Sequence, residues 1–246
     1  MTKRFILFSM FMFFYAFSFS QKVTNVILVG ENGITKNLSE AHSIIVVKEL
    51  LDKKFQRLDY KKQGPLRKVR TYKDTAMTIL DGKYLEYYVS GVLKVSGYYF
   101  DNEKNGTWYT YNESNKTISK EKFEKGILVE TESPSDRAKS SSEIEGDEKD
   151  AVFISKKQNG WQDYIIKSLG KSSAAEKSLK GGEVVIGFVI DTTGHTTNIF
   201  VKKSVEYILD EEAMNVIRKS PKWEPSVKNS KKVPAFRYQP FTFVVY

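Results

Sequence analysis

The sequence predicts an α+β protein in two parts, an N-terminal antiparallel β-hairpin repeat sheet followed by a C-terminal α-β-β-α-β domain. Three observations predict it. The chain carries 14 Tyr, 16 Phe and 3 Trp in 246 residues, and aromatic side chains favour strands. A unit of Gly, aromatic-rich strand, polar turn and second strand recurs within residues 81–126. After residue 151 the apolar spacing alternates between the helical period and the strand period.

The first 20 residues, MTKRFILFSMFMFFYAFSFS, read as a signal peptide. Lys3 and Arg4 form a basic start, Phe5 to Phe17 an apolar run, and Ser18 and Ser20 supply small residues before a cut ahead of Gln21. The run is short for a membrane span, which needs about 20 apolar residues; an uncleaved signal anchor is the alternative. Removing Lys3 and Arg4 takes the formal charge from +9 to +7. The lysines are dispersed and often sit beside acids, which describes a solvated basic surface and gives no block for nucleic acid. Zero Cys excludes a disulfide framework.

Residues 21–130 form the β-rich part. Within LSEAHSIIVVKELLDKKFQRLDY, β-branched Ile44 to Val47 favour strands after about residue 43. GKYLEY (82–87) and GTWYTY (106–111) align at an offset of 24, which also pairs Tyr99 with Phe123. Alternation places Tyr84 with Glu86 on one face and Leu85 with Tyr87 on the other. Gly82, Gly91, Gly106 and Gly126 are expected in turns. These units resemble MORN-type repeats in the variant G-x-[YW]-x-x-Y, and the resemblance implies that their glycines and aromatics build the sheet. Two units are expected to give only a small sheet that needs a partner layer. Residues 131–150, TESPSDRAKSSSEIEGDEKD, lack apolar residues for a core and read as a flexible linker.

The C-terminal part covers 151–246. Trp161, Tyr164, Ile165 and Leu169 fall on one helical face, with Asn159 or Gly160 at its start and Gly170 at its end. EVVIGFVID and HTTNIFVKKS form a hairpin about the turn Asp191-Thr192-Thr193-Gly194. LDEEAMNVIRKS is a helix with the stripe Leu209, Ala213, Val216 and Ile217. Its acids Asp210, Glu211 and Glu212 read as first-turn residues that complement the helix dipole. Pro221 stops it, Trp223 folds back over its end, and Pro225 fixes the exit towards the last strand, FTFVVY.

Taken in order, Gly182, Val184, Phe188, Ile190, Asp191 and Gly194, then Leu209, Asp210 and Ala213, then Pro221, Trp223 and Pro225, then Pro240, Phe241 and Phe243 resemble the TonB C-terminal domain. The resemblance implies a periplasm-facing module that captures an extended peptide, such as the TonB box of an outer-membrane receptor, by adding a strand. The strand edge expected to bind it comprises Arg237, Tyr238, Gln239, Phe241, Thr242, Phe243, Val244 and Val245. A proline at Phe243 is expected to abolish capture. The chain departs from the family pattern in its 6 Pro and its short spacer, which spans only about 60–70 Å at ~3.3 Å per residue.

Groups for chemistry are sparse. His42 and His195 lie in different parts, and no Gly-rich phosphate loop precedes a helix. No enzyme activity, cofactor or metal is expected. Two functions remain: a periplasmic partner-binding module, cleaved or inner-membrane anchored, with or without energy coupling; and a structural envelope or scaffold protein that self-associates, its last strand closing a homodimer.

Overall fold

The computed structural model describes residues 22–132, 148–170, 178 and 180–244. The proposed signal peptide, most of the linker and Val245 lie outside the described residues. The fold is antiparallel sheet with few helices. Strands β1 (Lys22–Gly30), β2 (Gly33–Thr35), β3 (Ser43–Glu49), β4 (Phe55–Lys61), β5 (Leu66–Tyr72), β6 (Leu80–Tyr87), β7 (Leu93–Phe100), β8 (Glu103–Tyr111), β9 (Thr117–Glu124) and β10 (Ile127–Glu132) form one 10-stranded sheet. From β3 to β10 each strand pairs with its sequence neighbours. The expected small sheet is therefore corrected to a long meander, because strands upstream of the repeats extend it.

The 24-residue repeat has a direct structural counterpart. In the β6–β7 turn, Tyr88 N–H donates to Val92 O and Gly91 N–H to Tyr88 O. In the β8–β9 turn, Asn112 N–H donates to Lys116 O and Asn115 N–H to Asn112 O. Tyr84, Tyr99, Trp108 and Phe123 line up as a ladder on one face, with ring centroids 5.1–6.3 Å apart along the chain of contacts. Lys104 Nζ lies 4.5 Å from the centroids of both Trp108 and Phe123, covering the ladder by cation–π contact. Gly97 makes room for the indole: a Cβ there would sit 2.2 Å from Trp108 Cδ2. Gly91 and Gly126 occupy turns, but Gly82 and Gly106 lie inside β6 and β8. Glycine within a strand often marks close approach, and a Cβ on Gly82 would lie 2.8 Å from the Thr71 methyl.

The C-terminal part contains α1 (Gly160–Leu169), β13 (Gly182–Ile190), β14 (Thr196–Lys203), α2 (Tyr207–Arg218) and β18 (Ala235–Phe243). Its main sheet runs β14-β13-β18. Short pairs brace it: β11 (Glu148–Lys149), β16 (Ser226–Lys228) and β17 (Lys231–Val233) form one sheet, and β12 (Val152–Phe153) pairs with β15 (Trp223–Glu224). Val184, Ile186, Phe188 and Ile190 are buried against Leu209, Ala213 and Ile217, the alternation and stripe the sequence shows. Trp223 packs between Phe153, Trp161 and Phe188, with centroids 4.8–6.1 Å away. Among the described residues, no helix is long and apolar enough to cross a membrane.

The two parts share one hydrophobic cluster. Val46, Leu58, Tyr60, Leu66, Val69, Leu85, Tyr87 and Leu93 from the large sheet join Val201, Leu209, Met214 and Val216 from the C-terminal part. The large sheet is thus the partner layer for α2 and β14. Burying apolar surface on both sides of α2 stabilises an arrangement that neither sheet could reach alone.

Candidate functional site: an open sheet edge and the contact that closes its opposite

The three-stranded sheet has two outer edges, β14 and β18. The β14 edge is met by the large sheet at Asn198 and from Val201 to Ser204. Tyr87 Oη donates to Val201 O at 2.7 Å. Ser204 N–H donates to Gly91 O at 2.9 Å. Val92 and Lys203 form an antiparallel bridge, and Tyr98 Oη reaches Asn198 Oδ1 at 3.1 Å.

The β18 edge differs. It pairs with β13 in unbroken register from Gly182↔Phe243 to Ile190↔Ala235, and among the described residues no strand pairs with its other side. Pro240, opposite Val185, fixes which groups point outward. Proline has no N–H for the ladder, so in a regular pairing its parity faces away from β13. Phe236, Tyr238 and Thr242 therefore present backbone N–H and C=O groups to the open side. Arg237, Gln239, Phe241 and Phe243 use theirs on β13. Two outward carbonyls already meet side chains: Gln239 Nε2 donates to Pro240 O at 2.7 Å, and Arg237 Nη1 lies 3.4 Å from Phe236 O.

The side chains of β18 divide by face. Phe241 and Phe243 are buried and hold the strand on the core, so of the expected edge residues these two anchor the strand. Arg237 is held by Asp150 at 3.1 Å, and Gln239 Oε1 accepts from Trp161 Nε1 at 2.8 Å. The opposite face is open, with Phe236, Tyr238 and Val244 46%, 50% and 55% exposed. Sequence reasoning omitted Phe236, although the alternation that places Tyr238 outward places Phe236 there too. Lys202 lies beneath this face, its Nζ 3.4 Å from the Tyr111 centroid and 5.5 Å from that of Tyr238. Burial pushes its ammonium down to about 8.

A second residue missed by sequence reasoning is Asp210. It is no solvated first-turn acid but is fully buried at the junction of the two parts. Its Oδ2 accepts from Ser204 Oγ at 2.5 Å and from Tyr60 Oη at 3.1 Å; its Oδ1 accepts from Val205 N–H at 3.1 Å. Ser204 Oγ in turn accepts from Leu66 N–H at 2.8 Å. Beside it, Lys48, only 2% exposed, pairs with Glu211. Burial pushes the Asp210 carboxyl up to about 7, while its three donors pull the other way. The folded state therefore holds a proton that the unfolded chain releases near pH 4. The stability this contributes is full below about pH 4 and is lost as pH rises to about 7. Asp210→Asn keeps an oxygen for Val205 and gives the two hydroxyls a donor. Urea unfolding at pH 4 and pH 7.5 should show the variant gaining on the wild type by on the order of 2–4 kcal/mol between the two conditions. Parallel pH dependence of the two proteins would rule this out.

The C-terminal part is thus a small α+β domain whose β18 edge has no second partner strand among the described residues. Residues 172–245 match the family described as Gram-negative bacterial TonB protein C-terminal. Over that segment the chain is similar to the TonB C-terminal family. No curated protein and no solved structure matches the chain.

Proposed function

We propose that this protein is a periplasmic, TonB-like binding module that captures an extended peptide by adding it as a strand to the outer edge of β18. The TonB box of an outer-membrane receptor is the partner that the domain family suggests. The observation that carries this reading is the asymmetry of the sheet: the outer edge of β14 is held at Val201, Lys203 and Ser204 by Tyr87, Val92 and Gly91, and β18 is left unpaired on its outer side among the described residues. Unpaired ladder groups recruit an incoming backbone, and exposed Phe236 and Tyr238 offer apolar contact to its side chains. The signal peptide reading supports export, and the aromatic ladder supports the MORN-type reading of the hairpins. In this account the hairpin sheet is a scaffold that determines which edge stays available.

Phe243→Pro is a poor test, because Phe243 is buried and its N–H faces β13. Thr242→Pro is the informative variant. Thr242 is exposed, and its N–H points to the open edge, so proline there removes a docking donor and no ladder bond. The whole chain should be used, since residues 151–246 alone would bare the shared core. Titrated with receptor TonB-box peptides, the wild type should bind and Thr242→Pro should lose about fivefold or more in affinity, at unchanged melting temperature, for the loss of one ladder bond whose carbonyl partner is left unsatisfied at about 1–3 kcal/mol. Equal binding by both proteins would remove strand addition. Dimerisation that Thr242→Pro abolishes, with no peptide binding, would establish the self-associating scaffold instead.

A further inference from the structure

A cavity of about 380 Å³ lies between the large sheet and the C-terminal domain. Leu58, Leu66, Val69 and Leu85 line it from the sheet, and Ile199 and Met214 from the other side. The volume falls within the ~300–1,000 Å³ typical of small-molecule sites.

The charges on its wall do not balance. Lys48 is paired with Glu211, and Asp52 lies 3.9 Å from Lys54 Nζ. Lys83 and Arg218 also line the cavity, and among the described residues neither has a carboxylate partner. Arg218 donates to Asn215 Oδ1, a neutral acceptor. Lys83 sits in mid-strand on β6, its Nζ 5.4 Å from the Phe200 centroid. It also borders a smaller hollow of about 140 Å³ beside Phe236. Burial alone pushes its ammonium down to about 8. A drawn-in ammonium with no anion costs stability, and a methionine would fill the same space without that cost. Two cations without a carboxylate partner, on a wall that also carries Leu58, Leu66, Val69, Leu85, Ile199 and Met214, are complementary to a ligand with an apolar tail and an anionic head.

We propose that this cavity binds a medium-chain fatty carboxylate, its head on Lys83 and Arg218 and its chain along Leu58, Leu85, Ile199 and Met214. No residue of β18 takes part, so the site stands or falls independently of strand addition. Its position between the two parts means that a bound ligand would bridge them.

The test is calorimetric titration of the full chain with decanoate below its micellar concentration, with decanol and decyltrimethylammonium as comparison probes. Saturable one-to-one binding of decanoate is expected, with decanol at least about tenfold weaker for loss of the charge-assisted contact and the cationic probe inert. Lys83→Met should weaken decanoate tenfold or more, leave decanol unchanged, and melt no lower than the wild type without ligand. Arg218→Gln provides a second variant with the same expected direction. No saturable decanoate binding, equal binding of the cationic probe, or decanoate affinity indifferent to both variants would overturn the proposal.

Discussion

Gly91→Ala is expected to unseat the large sheet from the C-terminal domain. Gly91 has φ +85°, where an L side chain costs about 1–2 kcal/mol. A Cβ would also lie 2.2 Å from Ser204 O and 2.8 Å from Pro65 Cβ. The first of these is backbone and cannot swing aside. Relief requires the β6–β7 turn to withdraw, which breaks the Ser204 N–H bond to Gly91 O. Leaving that donor unpaired costs a further ~1–3 kcal/mol. The same movement loosens Ser204, which also holds Leu66 and Asp210. A loss of about 2–5 kcal/mol in urea unfolding follows from these two terms, with faster hydrogen exchange at Ser204. A loss below 1 kcal/mol with unchanged exchange at Ser204 would show that this turn does not fasten the two parts.

Gly194→Ala should be at least as damaging, and it acts within the C-terminal domain. Gly194 has φ +86°, and a Cβ would stand 2.1 Å from Trp223 O. Trp223 N–H donates to Gly194 O at 2.9 Å, so the hairpin turn and the Trp223 strand are joined backbone to backbone. Displacing Trp223 would also disturb its aromatic contacts with Phe153, Trp161 and Phe188. The expected loss is about 2–5 kcal/mol, from left-handed strain and a broken buried bond together, with a changed tryptophan signal in near-ultraviolet circular dichroism. Gly194→Asn separates the causes. Asparagine tolerates positive φ better than alanine but still carries a Cβ, so it should be nearly as destabilised. Near-wild-type stability for Asn would assign the effect to dihedral strain and not to the approach of Trp223.

Both glycines were legible as turn residues, and their second role was not. A turn glycine is visible in sequence because its neighbours, SG between Tyr88 and Val92 or DTTG between strands, have a local signature. What approaches it from 30 or 100 residues away has none. The same division separates the two faces of α2. Leu209, Ala213, Val216 and Ile217 announce an apolar stripe. Tyr207, Asp210, Glu211 and Met214 form a second, mostly polar stripe at the same helical spacing. Nothing in their chemistry distinguishes a solvated face from one that meets Tyr60 and Lys48. An acid in a first turn fits the helix dipole equally well exposed or buried, and only the arrival of a second layer decides.

The candidate edge shows a similar limit. The order of C-terminal elements, the brackets around Trp223 and the alternation in the last strand all pointed to β18. Yet a sheet of three strands has two edges, and both are polar backbone in any sequence. The proline at 240 does carry the parity of the outward groups, although that reading needs the register with β13.

By itself the sequence determined the 24-residue hairpin period and the order of the main strands and helices in the C-terminal domain. Those follow from local sterics and from the spacing of apolar side chains. The tertiary structure decided that ten strands form one sheet, that this sheet covers α2 and meets β14, and that β18 has no second partner strand among the described residues. It also decided that Asp210 is buried and that Lys83 and Arg218 border a cavity. These depend on contacts between residues far apart in the chain, where packing and backbone pairing select one arrangement from several that the local pattern permits equally.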